Sequence, residues 1–401
     1  MENKQMNFSD TVYIAAADSM ESDKKLAHYI CTGENDQDVI QAAVDTIETE
    51  KNGQIRGIRI VLLPGNYYIS AFPRKNKNGR VAVMMGNATN EYTHIGVLIA
   101  GSERTESVML HVTKEAYDSV GDDESCSVFG CASCTDTYIN WNHHIFRDLF
   151  VTVPDDQKNI VCFDGRFMGS MGLRRCKCIC LTRENWDNPK PLLPVEGFVA
   201  FMGTYGSNNS WEQRWENCQA EGFGQGFALG SEHLLLLKCV AAFGRYGFTF
   251  NNYHCEYGAV VHPLTLIYCG DEANANLWKF GPNHYKQCVK AYNLSYELIP
   301  GWRALGGKFA EEVNPGDYIG HIDFVANEGY HSHNGGGVQF WENGCGIGFE
   351  TVNNAHKKVC STQERKSYYP QIGQQLFDTD LKKQLVYTGE AWVDMLGNTA
   401  E

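Results

Sequence analysis

The chain has 401 residues, of which 43% are apolar and 12% aromatic, and it contains 40 glycines and 11 prolines. This composition is ample for a core and is typical of a turn-rich β protein rather than a helical one. The net charge of −14 argues against nucleic acid as a partner, because a basic face supplies most of that affinity. It also argues against polyanionic glycans and favours a neutral ligand.

The sequence also predicts a location. No run of 18 or more apolar residues occurs, so no membrane span is expected. The opening residues MENKQMNFSDTVY lack the apolar segment of a secretory signal. Fifteen cysteines, several of them at apolar repeat positions, favour free thiols in a reducing compartment. We therefore expect a cytoplasmic protein.

In chain order, the first predicted element after an irregular segment, residues 1–30, is an amphipathic helix that Asn35 or Asp36 can cap. Its apolar stripe consists of Val39, Ile40, Ala43, Val44 and Ile47. The following segment, GIRIVLLPGNYYIS at 57–70, predicts two short strands around a Pro-Gly turn. A helix at this place can cover the unpaired strand edges of a stacked structure.

This pair of elements resembles the N-terminal cap of the pectate-lyase-like superfamily. The resemblance lies in the helix residues Asn35, Asp36 and 40–43 (IQAA), and in the strand that passes through Pro64-Gly65. It covers residues 35–70 and implies a right-handed parallel β-helix whose first coil is closed by the helix. It implies nothing about catalytic residues.

The middle of the chain contains short strand patterns separated by turn-rich segments. The predicted strands lie at 96–101, 107–112, 144–153, 159–163, 173–181 and 197–202. Residues 114–137, which include an acidic run at Gly121–Glu124, are expected to form an exposed insertion.

The stretch from Trp215 to Glu256 repeats itself after 21 residues. WENCQAEGFGQGFALGSEHLL is followed by LLKCVAAFGRYGFTFNNYHCE, so that Cys218 falls on Cys239 and Phe227 on Phe248. A fixed period of about 20 residues indicates stacked units, and the apolar alternation within each unit indicates strands. We predict an all-β, right-handed parallel β-helix with coils about 4.8 Å apart.

The chain is expected to have three regions. Residues 1–70 form an N-terminal region with the capping helix and first strands, and residues 71–360 form the β-helix with loop insertions. Residues 361–401 form a C-terminal tail that packs on the solenoid.

The repeat predicts which side chains face inward. Cys218, Cys239, Cys269 and Cys288 are expected to stack inside the solenoid, and their neighbours alternate outward. The three outward rows are Asn217–Lys238–Tyr268–Gln287, Gln219–Val240–Gly270–Val289 and Glu221–Ala242–Glu272–Ala291.

The third row places two carboxylates on one face, two coils apart. Two strand spacings are about 9–10 Å, close to the separation of acid and base in inverting glycosidases. Glu221 and Glu272 are therefore the first catalytic candidates, although outward glutamates on a solvated sheet are also ordinary. Asp271 and Glu216 fall in the inward phase and are second candidates, because a buried carboxyl group requires a partner or a raised pKa. The alternative is that either one lies where a strand bends, which would expose it.

A longer connection at 251–263 is expected to wall a pocket beside these acids. Aromatic and hydrogen-bonding side chains suit sugar rings. The predicted substrate-binding residues are Lys238, Arg245, Tyr246, His254, Glu256, Tyr268 and Trp215. Trp278 matches Phe227 and Phe248 and is expected in the core.

Metal sites and cofactors are not predicted. Cys126, Cys131 and Cys134, with Cys162 further on, have spacings that iron–sulfur and zinc ligands also use. No ferredoxin-like context surrounds them. CKCIC at 176–180 alternates as a strand, HSHNGGG at 331–337 favours a turn over a metal site, and GFGQG at 222–226 is interpreted as a corner.

The β-helix superfamily that the chain resembles contains polysaccharide lyases, glycosidases and fructotransferases. Within it, inulin fructotransferases and difructose-anhydride hydrolases act on neutral fructans with paired acids on one face. Glu216 stands where that family has its first acid, and Phe227 stands at the second.

The leading hypothesis is therefore an enzyme that cleaves or rearranges glycosidic bonds of a neutral oligosaccharide. The alternatives are a polysaccharide lyase or epimerase acting on uronates, and a non-catalytic, glycan-binding β-helix such as a trimeric phage tail module.

Overall fold

A computed structural model describes most of the chain. The described residues are 11–46, 56–85, 95–101, 107–132, 143–166, 168–182, 192–203, 213–229, 234–250, 264–272, 274–280, 288–292, 294–298, 308–312, 318–325, 328–331, 346–352, 358–366 and 375–400.

Short strands dominate the described part of the chain. The strands are β1 (Thr11–Ala15), β2 (Tyr29–Ile30), β3 (Arg56–Leu62), β4 (Gly65–Ile69), β5 (Arg74–Asn76), β6 (Gly79–Met85), β7 (Ile95–Gly101), β8 (Val108–Val112), β9 (Ser125–Cys131), β10 (His143–Arg147), β11 (Phe150–Val153), β12 (Asn159–Asp164), β13 (Ser170–Arg174), β14 (Lys177–Cys180), β15 (Val199–Met202), β16 (Gln213–Glu216), β17 (Gln219–Glu221), β18 (Gln225–Leu229), β19 (Leu234–Leu237), β20 (Val240–Ala242), β21 (Tyr246–Phe250), β22 (Leu264–Ile267), β23 (Gly270–Glu272), β24 (Asn276–Phe280), β25 (Cys288–Tyr292), β26 (Ser295–Leu298), β27 (Lys308–Glu312), β28 (Tyr318–Val325), β29 (Glu328–His331), β30 (Gly346–Val352), β31 (Lys358–Cys360), β32 (Gln375–Asp378), β33 (Lys383–Tyr387) and β34 (Trp392–Asp394). The helices are α1 (Glu21–Leu26), α2 (Asp36–Val44), α3 (Lys114–Asp118) and α4 (Thr362–Lys366).

Thirty of these strands form three long sheets. Sheet A has the order β2-β1-β3-β7-β10-β13-β16-β19-β22-β25-β28-β30, sheet B β4-β8-β11-β14-β17-β20-β23-β26-β29, and sheet C β5-β6-β9-β12-β15-β18-β21-β24-β27. In the middle of the solenoid each coil contributes one strand to each sheet, and successive coils pair in parallel, whereas β5 and β6 at the N-terminal end pair antiparallel. Crossovers between parallel strands are right-handed in nearly all proteins. The predicted fold class, a right-handed parallel β-helix, is confirmed.

A column of aromatic rings runs through the interior along sheet C. Phe129, Phe163, Phe201, Phe227 and Phe248 occupy register positions on successive coils, and Trp278 follows on the next. The five phenylalanine rings stack with centroids 5.1 to 5.4 Å apart. All six side chains are fully buried. The core position predicted for Trp278 is confirmed.

A column of thiols runs beside the corner between sheets A and B. Its members are Cys176, Cys218, Cys239 and Cys269, all buried, and Leu294 takes the next place. The prediction that Cys288 belongs to this column is wrong, because the next coil is longer than the repeat and Cys288 lies in β25 of sheet A. The fourth members of the two outward rows on sheet B are therefore Ser295 and Glu297, not Val289 and Ala291.

Sheets B and C approach each other closely in the middle coils. A Cβ atom at Gly226 would lie 2.7 Å from the Cβ of Ala241. A Cβ atom at Gly247 would lie 2.3 Å from the carboxylate oxygens of Asp271. The side chain on sheet B fills the space that a Cβ atom on sheet C would need. Only glycine therefore fits at this position of the repeat on sheet C.

Each corner between sheets A and B contains one residue whose backbone lies in the left-handed region. On successive coils this residue is Asp148, Arg175, Asn217, Lys238 and Tyr268, with φ between 50° and 57°. The backbone N–H of each donates to a carbonyl of the next coil, as from Asn217 to Leu237 O at 2.9 Å. The corner interrupts the alternation of side chains. The inward and outward positions on sheet A therefore cannot be inferred from those on sheet B.

Helix α2 closes the N-terminal end of the solenoid. Its buried polar side chains satisfy backbone groups of the first coil: Asp36 accepts from Tyr68 N at 2.9 Å and Gln37 from Ser70 N at 3.1 Å. Gln41 both accepts from Met84 N at 2.6 Å and donates to Met84 O at 3.0 Å. The predicted capping role of this helix therefore has a specific physical basis at the exposed strand edges.

Some local predictions need correction. The apolar run at 12–17, assigned to an irregular region, includes β1, and the first coil thus begins before residue 71. The exposed insertion predicted at 114–137 is wrong for residues 125–131, because β9 is a buried strand of sheet C, whereas 121–123 are exposed. The periodicity of β9 is obscured by small residues. Residues 358–400 add a separate four-stranded sheet, β31-β32-β33-β34, with its own small core. The packing of this tail on the solenoid stays a prediction.

Cysteines with described side chains are free and buried. Within the described ranges, no helix is both long and apolar enough to cross a membrane.

The aromatic column yields a stability prediction. Phe227→Ala should lower the free energy of unfolding by about 3–5 kcal/mol, because a ring enclosed by neighbours on both sides leaves a cavity. Leu181→Ala, at a side chain 49% exposed, should change it by less than about 0.5 kcal/mol. Urea unfolding of both variants measures the difference, and equal effects would contradict the assigned packing.

Candidate functional site

The outer face of sheet B carries the two leading carboxylates. Glu221 pairs with Ala242 across β17 and β20, and Ala242 pairs with Glu272 across β20 and β23. The Cα atoms of the two glutamates are therefore two strand spacings apart, about 9.6 Å. A Cβ atom at Gly270 would lie 3.2 Å from Glu272 Oε1, so this carboxylate leans along the same outer face.

Glu221 has a cationic neighbour on this face. Lys177 Nζ lies 3.6 Å from Glu221 Oε1, and the Gln219 side-chain amide donates to the same oxygen. Lys177 also sits over the ring of Phe150, 5.4 Å from its centroid. The side chains of Lys177 and Glu221 are each 20% exposed, so the pair is partly shielded from water. These contacts hold the carboxylate of Glu221 in place on the outer face.

Polar residues continue along the same row in both directions. Towards the C-terminal coils, Glu297 pairs with Glu272 in register. Towards the N-terminal coils, His111 contacts Thr152 Oγ1 at 2.7 Å and Asn66 Oδ1 at 2.8 Å. Burial lowers the pKa of His111, which keeps its ring neutral at pH 7. Ile179, which is buried, separates Thr152 from Glu221 on this row, so the hydrogen-bonded cluster at His111 is apart from the two acids.

Asp271 points into the solenoid, as the repeat predicts. Its side chain is fully buried, and Oδ1 accepts from Asn274 Nδ2 at 2.7 Å. Oδ2 has no hydrogen-bond partner among the described residues. Burial raises the pKa of Asp271 well above its ordinary value, and the charge of Glu272 adds to the rise. The group is closed off from the outer face and cannot touch a substrate bound there.

Glu216 lies on the outer face of sheet A, so its predicted inward phase is wrong. The left-handed corner at Asn217 intervenes between β16 and β17 and resets the alternation. Glu216 pairs with Arg214, with Oε2 3.3 Å from Nη2. It does not share a face with Glu221 and Glu272.

The predicted substrate-binding residues lie in different places. Lys238 and Tyr268 are exposed at neighbouring corners between sheets A and B. Trp215 is fully buried and donates from Nε1 to Met171 O at 2.9 Å, so it is a core residue and cannot contact an outside ligand. His254 and Glu256 lie outside the described residues.

Arg245 and Tyr246 lie on sheet C and form a second polar cluster. Arg245 Nη2 lies 3.2 Å from Glu196 Oε1, and Lys279 Nζ lies 2.7 Å from Glu196 Oε2. Both cations lie over the Tyr246 ring, at 5.3 and 4.9 Å from its centroid. This cluster is on a different face from the glutamate row.

The structure thus brings together Glu221 and Glu272 and adds neighbours that sequence reasoning missed. The alternation of CKCIC already places Lys177 outward, which was a usable signal. Glu297 was missed because the coil length was misjudged. Glu196 and Lys279 are 83 positions apart and carry no sequence signal of their contact.

The cysteine motif has a core position. Cys126, Cys131 and Cys162 are buried, and Cys134 lies outside the described residues. Cys131 Sγ lies 4.0 Å from His144 Nε2. In the described part of the chain, no three metal-ligating side chains come together.

Comparison with known proteins does not identify a family for this chain. No family model matches the chain, and no curated protein matches it. Among solved structures, it is similar to tailspike protein 3 of bacteriophage CBA120, at 10% identity and a TM-score of 0.18. The match covers 87% of this chain and 64% of the tailspike chain, less than two thirds of its length. The fold assignment rests on the strand pairing described above.

Asp271 yields a pH-dependent prediction. The pKa of Asp271 is higher in the folded protein than in the unfolded chain. Above about pH 4 the unfolded chain loses the proton of Asp271 while the folded protein keeps it, so the free energy of unfolding falls as the pH rises. Asp271→Asn removes this loss. The variant should gain stability relative to wild type between pH 4 and pH 7. Urea unfolding at both pH values measures the gain, with exposed Glu390→Gln as control. A gain independent of pH would contradict a buried, protonated Asp271.

Proposed function

We propose that the chain is a carbohydrate-active enzyme that hydrolyses a glycosidic bond of a neutral oligosaccharide on the outer face of sheet B. The observation that carries the proposal is the register of Glu221, Ala242 and Glu272. It sets two carboxylates on one face at about 9.6 Å between Cα atoms, with only a methyl side chain between them. That separation leaves room for a water molecule and a sugar ring.

The two glutamates have different roles in this proposal. Lys177, 3.6 Å from Glu221, favours a carboxylate that accepts a proton from water, so Glu221 is the general base. Glu272, the other carboxyl group of the row, takes the complementary role of proton donor. Glu272 is the general acid.

The reaction follows from these roles. Glu272 gives its proton to the leaving oxygen as the glycosidic bond breaks. Water attacks the anomeric carbon from the opposite side and loses its proton to Glu221. The anomeric configuration is therefore inverted.

Other features of the protein in this proposal are unchanged from the sequence interpretation. We further propose that the substrate is an oligosaccharide, that the protein is cytoplasmic and that it assembles as a homotrimer. These three statements remain predictions.

The test is a screen of neutral oligosaccharides, read by released reducing sugar. Glu221→Gln and Glu272→Gln should each lower the rate at least about 100-fold, because general acid–base catalysis contributes that much. Both residues are partly exposed, so the variants should fold, which circular dichroism checks. Proton NMR of the first product should show inverted configuration.

Glu216→Gln is the matched control. It removes a carboxylate that is paired on another sheet, and it should keep the wild-type rate. Full activity in both Glu221→Gln and Glu272→Gln would show that the site is elsewhere, and a product with an unsaturated ring would assign the chemistry to a lyase.

A further inference from the structure

We propose that the outer face of sheet C holds a carboxylate-binding site that the chain's own Glu196 occupies, and that the site takes the carboxylate of an external organic acid when Glu196 leaves. This face lies on another side of the solenoid from the glutamate row, and the proposal does not depend on the hydrolytic activity.

The contact between Lys279 and Glu196 spans several coils. Glu196 lies just before β15, whereas Lys279 lies in β24, and β18 and β21 are between them. Three strand spacings are about 14 Å. The two side chains therefore lean towards each other across the sheet to reach 2.7 Å. Gln225 on β18 holds the connecting segment down by donating to Glu196 O at 2.8 Å.

The ion pairs enclose an outward-facing aromatic ring. Tyr246 begins β21 and pairs in register with Gln225 and Asn276 on the neighbouring coils. At an outward position it would be expected to be partly exposed, yet it is fully buried. Arg245 and Lys279 both lie over it within cation–π distance. The two cations cover the ring, and their charged groups are thereby held on the outer face of sheet C.

The charges favour an anionic ligand. Two cations and one carboxylate leave one net positive charge, in a chain whose total is −14. Glu196 shows how a carboxylate binds between the two cations, because Oε1 contacts Arg245 and Oε2 contacts Lys279. It is also the most exposed member, at 42% against 29% for Arg245 and 16% for Lys279. An incoming carboxylate can replace it without exposing the cations.

A buried hydroxyl group, that of Thr249, lies on the same face. Thr249 pairs in register with Lys279, and its side chain is fully buried. Its Oγ1 has no hydrogen-bond partner among the described residues. An unsatisfied buried hydroxyl is costly, so a ligand oxygen beside Lys279 would relieve this cost.

The experiment measures binding of glucuronate and glucose by isothermal titration calorimetry. Glu196→Gln removes an intramolecular competitor that is present at high effective concentration, so glucuronate should bind at least about tenfold more tightly than to wild type. Glucose should show no such gain. Lys279→Met in the Glu196→Gln background should abolish the gain.

Asp122→Asn is the control, because it breaks an ion pair with Lys158 at a fully solvated aspartate elsewhere. It should bind glucuronate as wild type does. Unchanged glucuronate affinity in Glu196→Gln, or an equal gain for glucose, would overturn the proposal. Hydrolysis of neutral oligosaccharides is a separate measurement and does not affect this result.

Discussion

The structure depends on the stacking of like side chains on successive coils. Two parallel strands that are displaced by two residues still turn the same faces inward. Their register is therefore fixed only if side-chain packing favours the native alignment over the displaced one. Here the phenylalanine column along sheet C and the thiol column beside the A–B corner provide that distinction. Each coil must present a ring and a small, soft side chain at matched positions. Since these residues fill the interior to crystal-like density, a slipped coil would leave a void in one place and an overlap in another.

The same constraint determines the outer faces. Once Cys218 and Cys239 are fixed inside, the alternation of each sheet B strand turns Glu221 and Glu272 outward on a common row. The interior also limits what each coil can hold. Asp271 is tolerated only where Gly247 has no side chain, and its raised pKa makes that coil sensitive to pH. Core packing and the carboxylate row are therefore two consequences of one register.

The sequence allowed much of this fold to be predicted. The 21-residue repeat was sufficient for the β-helix, the burial of Trp278 and the common row of Glu221 and Glu272. Prediction failed where a coil changes length or direction. Cys288 was misplaced because the coil after Cys269 is longer than the repeat. Glu216 was misplaced because a left-handed residue at Asn217 resets the alternation, and no glycine marks that corner. Contacts across coils, such as Lys279 with Glu196, depend on side-chain reach and have no periodic signal.

The most direct test of this account is a crystal structure that resolves side chains from β16 to β23. The account predicts the Sγ atoms of Cys218, Cys239 and Cys269 in one column, with Glu221 and Glu272 on the same outer face and their Cα atoms about 9.6 Å apart. A shift of one residue between β17 and β20, or between β20 and β23, would turn one of these carboxylates into the core and contradict it.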